Sequence, residues 1–443
     1  MPLRLVATNG PGADLSADLL LAWRGAQANI TARLGALCSP ADTELPPPAL
    51  DLLDIAVALY AADIAVKRGE RERWPRSFEL TVTVRDAASW RSLTPELHRL
   101  VHELARDTIR LSFREGDQAP PAIAPAADAL PPTLRPDCVS TLSGGLDSLA
   151  GAVMLQQTGR SPLYVLHRSG NPAVRTAQQG ALGALDRQWP GEWAARACEI
   201  EPKPPAEGAL PYPPPREREP SRRCRSLLFM ALALAAAEAA QVDEAYLCEN
   251  GMLTAGLPFS AARAGSMSTH STHPLAVALM NRVAEACGLR ARLVNPFMYQ
   301  TKSELIRDVL APRLSPREIQ STVSCWAVGR TNRQCGGCVP CILRQIGMAW
   351  AELPEEAYMT NVMERPEQYV GANAYGNLVD VLRQAEQVAR QSDEEVLLSQ
   401  PGLLSLQVAG VDIGAVVAML RRHAEQTLTV VRERYRHAAR LIE

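Results

Sequence analysis

Lysine is almost missing from this chain: of 46 basic residues, only Lys67, Lys203 and Lys302 are not arginine. Arginine serves wherever either cation would do, so each surviving lysine marks a place where a compact point charge is wanted. An excess of basic charge is missing too. Against 48 acidic residues the net charge is −2, which gives no support to a generally basic nucleic-acid surface. The longest apolar run, Leu227 to Ala237, is too short to span a bilayer. Met1-Pro2-Leu3-Arg4 lacks the basic start and apolar core of a secretory signal. Ten cysteines in 443 residues, four of them clustered, suit a reducing compartment and metal binding better than disulfides. The expectation is a cytoplasmic protein of two or three domains, with neither membrane nor nucleic acid as partner.

What is present centres on Ser143-Gly144-Gly145-Leu146-Asp147-Ser148. It follows the apolar, β-branched run Cys138 to Leu142 and opens into a helical pattern at Leu149, Ala150, Ala152, Val153 and Leu155. Strand, two glycines, hydroxyls and then helix make an anion site. The glycines let backbone approach the ligand, and the unpaired N–H groups of the first helical turn point at it. An ordinary β-to-α turn capped by Asp147 and Ser148 would share some of these residues, but the whole hexapeptide directly after a strand favours phosphate. SGGxDS resembles the signature of the PP-loop ATP pyrophosphatases. The loop carries no lysine, so Arg or Lys from elsewhere must neutralise the phosphates.

Residues 1–115 read as a small α/β region: a strand at Leu3–Ala7, helices at 19–37 and 49–66, an alternating strand at 78–84, a helix at 95–106 and a strand at 109–113. His98 and His102 sit one turn apart without a third ligand and read as surface residues. By elimination the region is a partner-binding or substrate-presenting module. Residues 116–137 hold six prolines and read as a linker. From 138 to 352 strand and helix signals alternate, which argues for a doubly wound, mostly parallel sheet with ligands at the carboxyl ends of its strands. Glu201 to Pro220, with eight prolines, is either a solvated excursion or a flap over the site. Residues 353–443 are helical. Ile413, Val417, Leu420, Ala424, Leu428 and Val431 form one apolar stripe, expected to dock on its own core.

Cys325, Cys335, Cys338 and Cys341 form C-x9-C-x2-C-x2-C, with Gly336 and Gly337 between two of them. Four thiolates brought together by tight turns make a closed, structural tetrahedral Zn²⁺ site. An iron–sulfur cluster or independent buried thiols are the alternatives.

An SGGxDS loop at the start of an α/β domain, with a four-cysteine knuckle near its end, resembles the QueC family of 7-cyano-7-deazaguanine synthases. Arg225-Ser226-Leu227-Leu228-Phe229, Asn295-Pro296-Phe297 with Thr301-Lys302-Ser303-Glu304, and Cys341-Ile342-Leu343-Arg344 also resemble its segments. Two features depart from that pattern. About 130 residues precede the loop and about 90 follow the knuckle, and Ser268 to Pro274 stands where the family's Gly-Tyr-Pro-Asp-Cys-Arg segment belongs. The long form resembles the QueC-like proteins of bacterial anti-phage systems, QatC and its relatives.

The resemblance implies that ATP activates the carboxylate of 7-carboxy-7-deazaguanine as an acyl-adenylate. An amine then displaces AMP. In QueC that amine is ammonia and a nitrile results; in the defence relatives the acceptor is the amino terminus of a partner protein. The loop residues Ser143 to Ser148 would hold the phosphates and Asp147 would hold Mg²⁺. Arg225 and Lys302 would stabilise charge at phosphorus. Glu249 and Asn250 could read a purine-like edge or merely form a turn. His270 and His273 could deprotonate the amine or simply cap the helix at Pro274. Arg344 would brace the knuckle. A tRNA-modifying PP-loop enzyme is a third reading, with Cys248 as its candidate thiol.

Overall fold

The structure, a computed structural model, describes residues 3–8, 17–37, 45–68, 76–116, 134–168, 170–203, 209–259, 271–328, 333–354 and 357–442. Most of the expected linker, and His270, lie outside these residues.

The N-terminal part runs β1 (Leu3–Thr8), β2 (Leu19–Ala22), β3 (Ile30–Arg33), α1 (Pro47–Ala65), β4 (Ser77–Val84), α2 (Ala87–Ser92), α3 (Thr94–Ala105) and β5 (Thr108–Glu115). A four-stranded parallel sheet of order β2-β1-β4-β5 results. The stretch 19–37, helical by spacing, is instead two short strands and a 3-10 turn at Gly35–Leu37. Gly25, at φ 79°, reverses the chain. Asn29 holds the reversal, accepting from the Ala22 N–H at 2.9 Å and donating to the Leu20 carbonyl at 2.8 Å. Pairing of Leu19 to Ala22 with β1 outweighs the helix propensity of Leu and Ala.

Strand β3 leaves this sheet altogether. It pairs antiparallel with β8 (Ala194–Pro202), Ile30 opposite Pro202 through Arg33 opposite Glu199. The larger sheet is otherwise parallel, in the order β10-β9-β6-β7-β8-β3. It is built from β6 (Cys138–Thr141), α4 (Leu146–Gln157), β7 (Pro162–His167), α5 (Pro172–Gln188), β8, α6 (Arg225–Ala240), β9 (Glu244–Tyr246), α7 (Gly251–Thr254), α8 (Pro274–Ala286) and β10 (Arg292–Val294). The alternation read from the sequence is therefore present. The chain steps outward from β6 through β7 to β8 and then returns to β9 on the other flank of β6. The strand order reverses between β6 and β9, the place where open α/β sheets bind ligands.

Helices α1 and α6 are apolar almost all round, as befits helices buried on every side. Their residues join both sheets in one apolar core. Within the described part of the proline-rich stretch after β8, Pro214 to Glu217 are exposed, Glu219 is buried and Pro220 lines the cavity described below. Residues 209–220 form a strap docked on the N-terminal layer: the Tyr212 hydroxyl donates to the Ala61 carbonyl at 2.7 Å, and the Glu219 N–H to that of Ile64 at 2.9 Å.

Beyond β10 come α9 (Lys302–Glu304), which continues as a π-helical turn over Leu305–Leu310, then α10 (Pro316–Gln320) and α11 (Val339–Trp350). After them follow α12 (Asn373–Arg390), α13 (Asp393–Ser399), α14 (Leu403–Val408) and α15 (Ile413–Arg434). The predicted stripe of α15 is buried against α11 and α12 in a second core, so it docks on its own chain. No helix among the described residues is long and apolar enough to cross a membrane.

Candidate functional site

The loop Ser143–Ser148 leaves β6 and enters α4 with Gly145 at the N-cap. Gly144 has φ 82°, and a Cβ there would lie 2.9 Å from the Gln178 nitrogen. Only glycine meets both demands. The Ser148 hydroxyl donates to the Gly145 carbonyl at 2.9 Å and lies 3.1 Å from the Ser143 hydroxyl. The Gly144 carbonyl accepts from the Val323 N–H at 3.0 Å, which ties the loop to the segment entering the cysteine cluster. Leu146 is buried in the core and can offer a ligand only its backbone.

Asp147, in the first turn of α4, meets two residues from other strand ends. Lys302 Nζ donates to its Oδ1 at 2.8 Å, and Asn250 Nδ2 to its Oδ2 at 2.8 Å. The cluster sits where the strand order reverses. Lys302 is fixed from behind by a capping box between Thr301 and Glu304. The C-terminal helix secures that box: Thr301 Oγ1 donates to Gln426 Oε1 at 2.7 Å and Arg422 Nε to Glu304 Oε1 at 2.6 Å. Oδ2 also accepts from the Asn250 N–H at 3.4 Å, whereas Oδ1 keeps a second lone pair, so the carboxylate can offer a hard cation one oxygen, with the remaining ligands from phosphates and water.

Beside this cluster a cavity of about 580 Å³ opens over the ends of β6 and β7. Ser143 and Gly145 form one wall, Arg222, Arg225 and Phe229 another, and Trp326 stands at its edge, 49% exposed. Arg225 lies deep in the molecule, yet its guanidinium is open, because the surface it shows faces the cavity. Burial pulls its pKa below the usual arginine value, and no carboxylate is among the groups acting on it. It stacks on Phe229 at 5.6 Å. A guanidinium open to a cavity, with no acid partner among the described residues, is a site for an anion. Arg225 and the Asp147–Lys302 pair do not touch.

The remaining candidates have other employment. Asn250 caps α7 by accepting from the Leu253 N–H as well as holding Asp147, so its amide is not available to read a base. Glu249 accepts from the Thr272 hydroxyl. Burial, reinforced by nearby Asp147, raises its pKa to about 7. His273 is 2% exposed and caps α8, its Nδ1 accepting from the Leu275 N–H at 3.3 Å. Burial holds the imidazole down at about 4, which suits the capping role rather than that of a base. Cys248 packs against Gly151, and burial raises its thiol to about 12; it is no ready nucleophile. His98 is partly buried rather than on the surface, its Nε2 accepting from the Leu111 N–H at 3.0 Å. The sequence reading passed over Arg222 and Trp326, for which the signals were the Arg222-Arg223-Cys224-Arg225 run and an aromatic directly after Cys325.

The four Sγ atoms of Cys325, Cys335, Cys338 and Cys341 lie within 4.8 Å of one another, with pairs at 3.9 and 4.0 Å. Four ligands at a Zn–S distance of about 2.3 Å sit about 3.8 Å apart in a tetrahedron, so the set fits zinc with no position left open. Gly336, at φ 80°, has no room for a Cβ against the Thr360 carbonyl. Arg344, fully buried, donates to Thr322 Oγ1 at 2.8 Å and the Ile319 carbonyl at 2.9 Å, bracing the approach to Cys325.

Comparison with known proteins matches residues 223–352 to the family described as queuosine biosynthesis protein QueC. A 7-cyano-7-deazaguanine synthase of Synechococcus elongatus is 28% identical over 238 residues, 49% of this chain and 93% of that protein. The synthase of Novosphingobium aromaticivorans is 29% identical over 253 residues, 53% and 96%. That of Thiobacillus denitrificans is 24% identical over 242 residues, 50% and 97%. No solved structure matches. These matches support a QueC-like domain in this chain; about half of the chain lies outside each relative, and more than two thirds of it outside the family match.

Proposed function

We propose that this chain activates the carboxylate of 7-carboxy-7-deazaguanine with ATP and joins the acyl group to an amine. The observation that carries the reading is the cavity between the glycine loop and the open guanidinium of Arg225. A carboxylate oxygen attacks the α-phosphorus, the bond to the bridging oxygen breaks, and pyrophosphate leaves. The amine nitrogen then attacks the acyl carbon, AMP departs, and the nitrogen loses a proton. Backbone N–H groups of Ser143 to Ser148 receive the leaving phosphates. Lys302 and Arg225 supply positive charge where negative charge develops. Asp147 would hold Mg²⁺, which would supply positive charge to the phosphates. The four cysteines would hold zinc as a structural brace.

The acceptor we propose is the amino terminus of a partner protein, in a cytoplasmic anti-phage system. Its support is the half of the chain outside the matched relatives, together with the resemblance to the long QueC-like proteins. The second reading is the nitrile-forming synthase using ammonia, favoured by the names of the relatives. The net charge of −2 and the inert Cys248 thiol disfavour tRNA modification.

Intact-mass spectrometry after incubation with ATP, Mg²⁺ and 7-carboxy-7-deazaguanine tests the proposal, with ammonia in one arm and the products of neighbouring genes in the other. A neighbour that gains one deazaguanine acyl group, and does not with Asp147→Ala, is the expected result. A free nitrile without protein adduct supports the second reading. No ATP consumption in either arm overturns both.

A further inference from the structure

The wall of the cavity that carries Arg222 and Arg225 is held by residues far away in sequence. Cys224, between those arginines, gives its N–H to Asp63 Oδ2 at 2.9 Å, and Arg223 Nη1 donates to the Ala105 carbonyl at 3.3 Å. Glu219 receives the N–H of Arg68 at 2.9 Å on one oxygen and that of Ser221 at 3.1 Å on the other. Asp63 and Asp107 are fully buried or nearly so, and Arg76 joins them while Arg68 pairs with Asp107. Each oxygen of these carboxylates accepts at least one guanidinium or backbone donor, which makes a rigid, directional support.

Two further observations show that this support is aimed. Arg222 is held at φ 47°, a left-handed conformation that an arginine adopts only where its surroundings impose it. Tyr60 of α1, 1% exposed, lies against the Arg222 guanidinium. Leu104 of α3 itself lines the cavity.

We infer that α1 and α3 are part of the anion-binding site, with Asp63 and Glu219 as positioning residues that set Arg222 and Arg225 at the cavity wall. The inference rests on the reading of that cavity as the nucleotide site, and it assigns a role to a part of the chain named above only by elimination. Neither carboxylate touches the ligand. Each acts by fixing the backbone from which the guanidinium groups project.

The test is calorimetric titration of the full chain with ATP and with inorganic pyrophosphate. Asp63→Asn and Glu219→Gln each turn one accepting oxygen into an amide that faces an N–H or a guanidinium. Asp86→Ala removes the N-cap of α2 in the same module without touching the strap, and serves as the stability control. Melting temperatures are recorded for all variants, and Tyr212→Phe, which loses only the hydroxyl bond to Ala61, covers the case in which Asp63→Asn fails to fold. The expected result is an affinity for both ligands about tenfold weaker in Asp63→Asn and Glu219→Gln, a smaller loss in Tyr212→Phe, and none in Asp86→Ala. Wild-type affinity in every folded variant overturns the inference and leaves the nucleotide reading intact. A wild-type chain that binds neither ATP nor pyrophosphate overturns both.

Discussion

Lys302 Nζ lies 2.8 Å from Asp147 Oδ1 across 155 residues of chain, and both side chains are nearly buried. Asp147→Asn therefore strands a buried ammonium. A cost of about 3 kcal/mol in stability is expected, with a loss of ATP turnover of about 100-fold or more. In the double variant Asp147→Asn/Lys302→Met most of the stability returns and turnover does not. A double-mutant cycle on melting and pyrophosphate release separates the two effects.

Gly144→Ala introduces a Cβ 2.9 Å from the Gln178 nitrogen at φ 82°. The left-handed backbone alone costs an alanine about 1 kcal/mol, and relief of the clash moves the loop. ATP affinity should fall while the fold survives, as read by titration calorimetry alongside circular dichroism.

Zinc content measured by plasma mass spectrometry should be about one ion per chain, with no visible absorbance of an iron–sulfur cluster. Cys338→Ser should lower zinc retention and destabilise by several kcal/mol, since metal affinity here is folding free energy. Through Val323 and Gly144 it should also weaken nucleotide binding. Full ATP affinity in a zinc-free, folded Cys338→Ser protein would contradict that coupling.

Glu249 has its pKa raised from 4.5 to about 7. The folded state thus holds this proton through a pH range in which the unfolded chain has released it. The stability linked to it is complete below about pH 4.5 and is lost as pH rises to about 7. Glu249→Gln should flatten that decline, by an amount on the order of 1–3 kcal/mol between pH 5 and 8. Thermal melts of both proteins across this range decide it; parallel curves would exclude the titration.

Some of this was legible in the sequence because its determinants are local. The hexapeptide of the loop and the cysteine spacing lie within single short stretches, and the scarcity of lysine drew attention to Lys302. The convergence of Asp147, Asn250 and Lys302 depends on strand order, which no local pattern states; Asn250 was noticed for a different role. The stretch 19–37 misled because pairing with β1 and β8 decides its conformation. His273 before Pro274 permitted both a cap and a base, and only its burial separates them.

Strand β3 crosses from the first quarter of the chain to cover the outer edge of β8. A fragment beginning at Cys138 would bare the backbone donors and acceptors of Glu199 to Pro202, an invitation to edge-to-edge association. In chain order residues 30–33 belong to an appendage; in space they are the selvedge of the larger sheet.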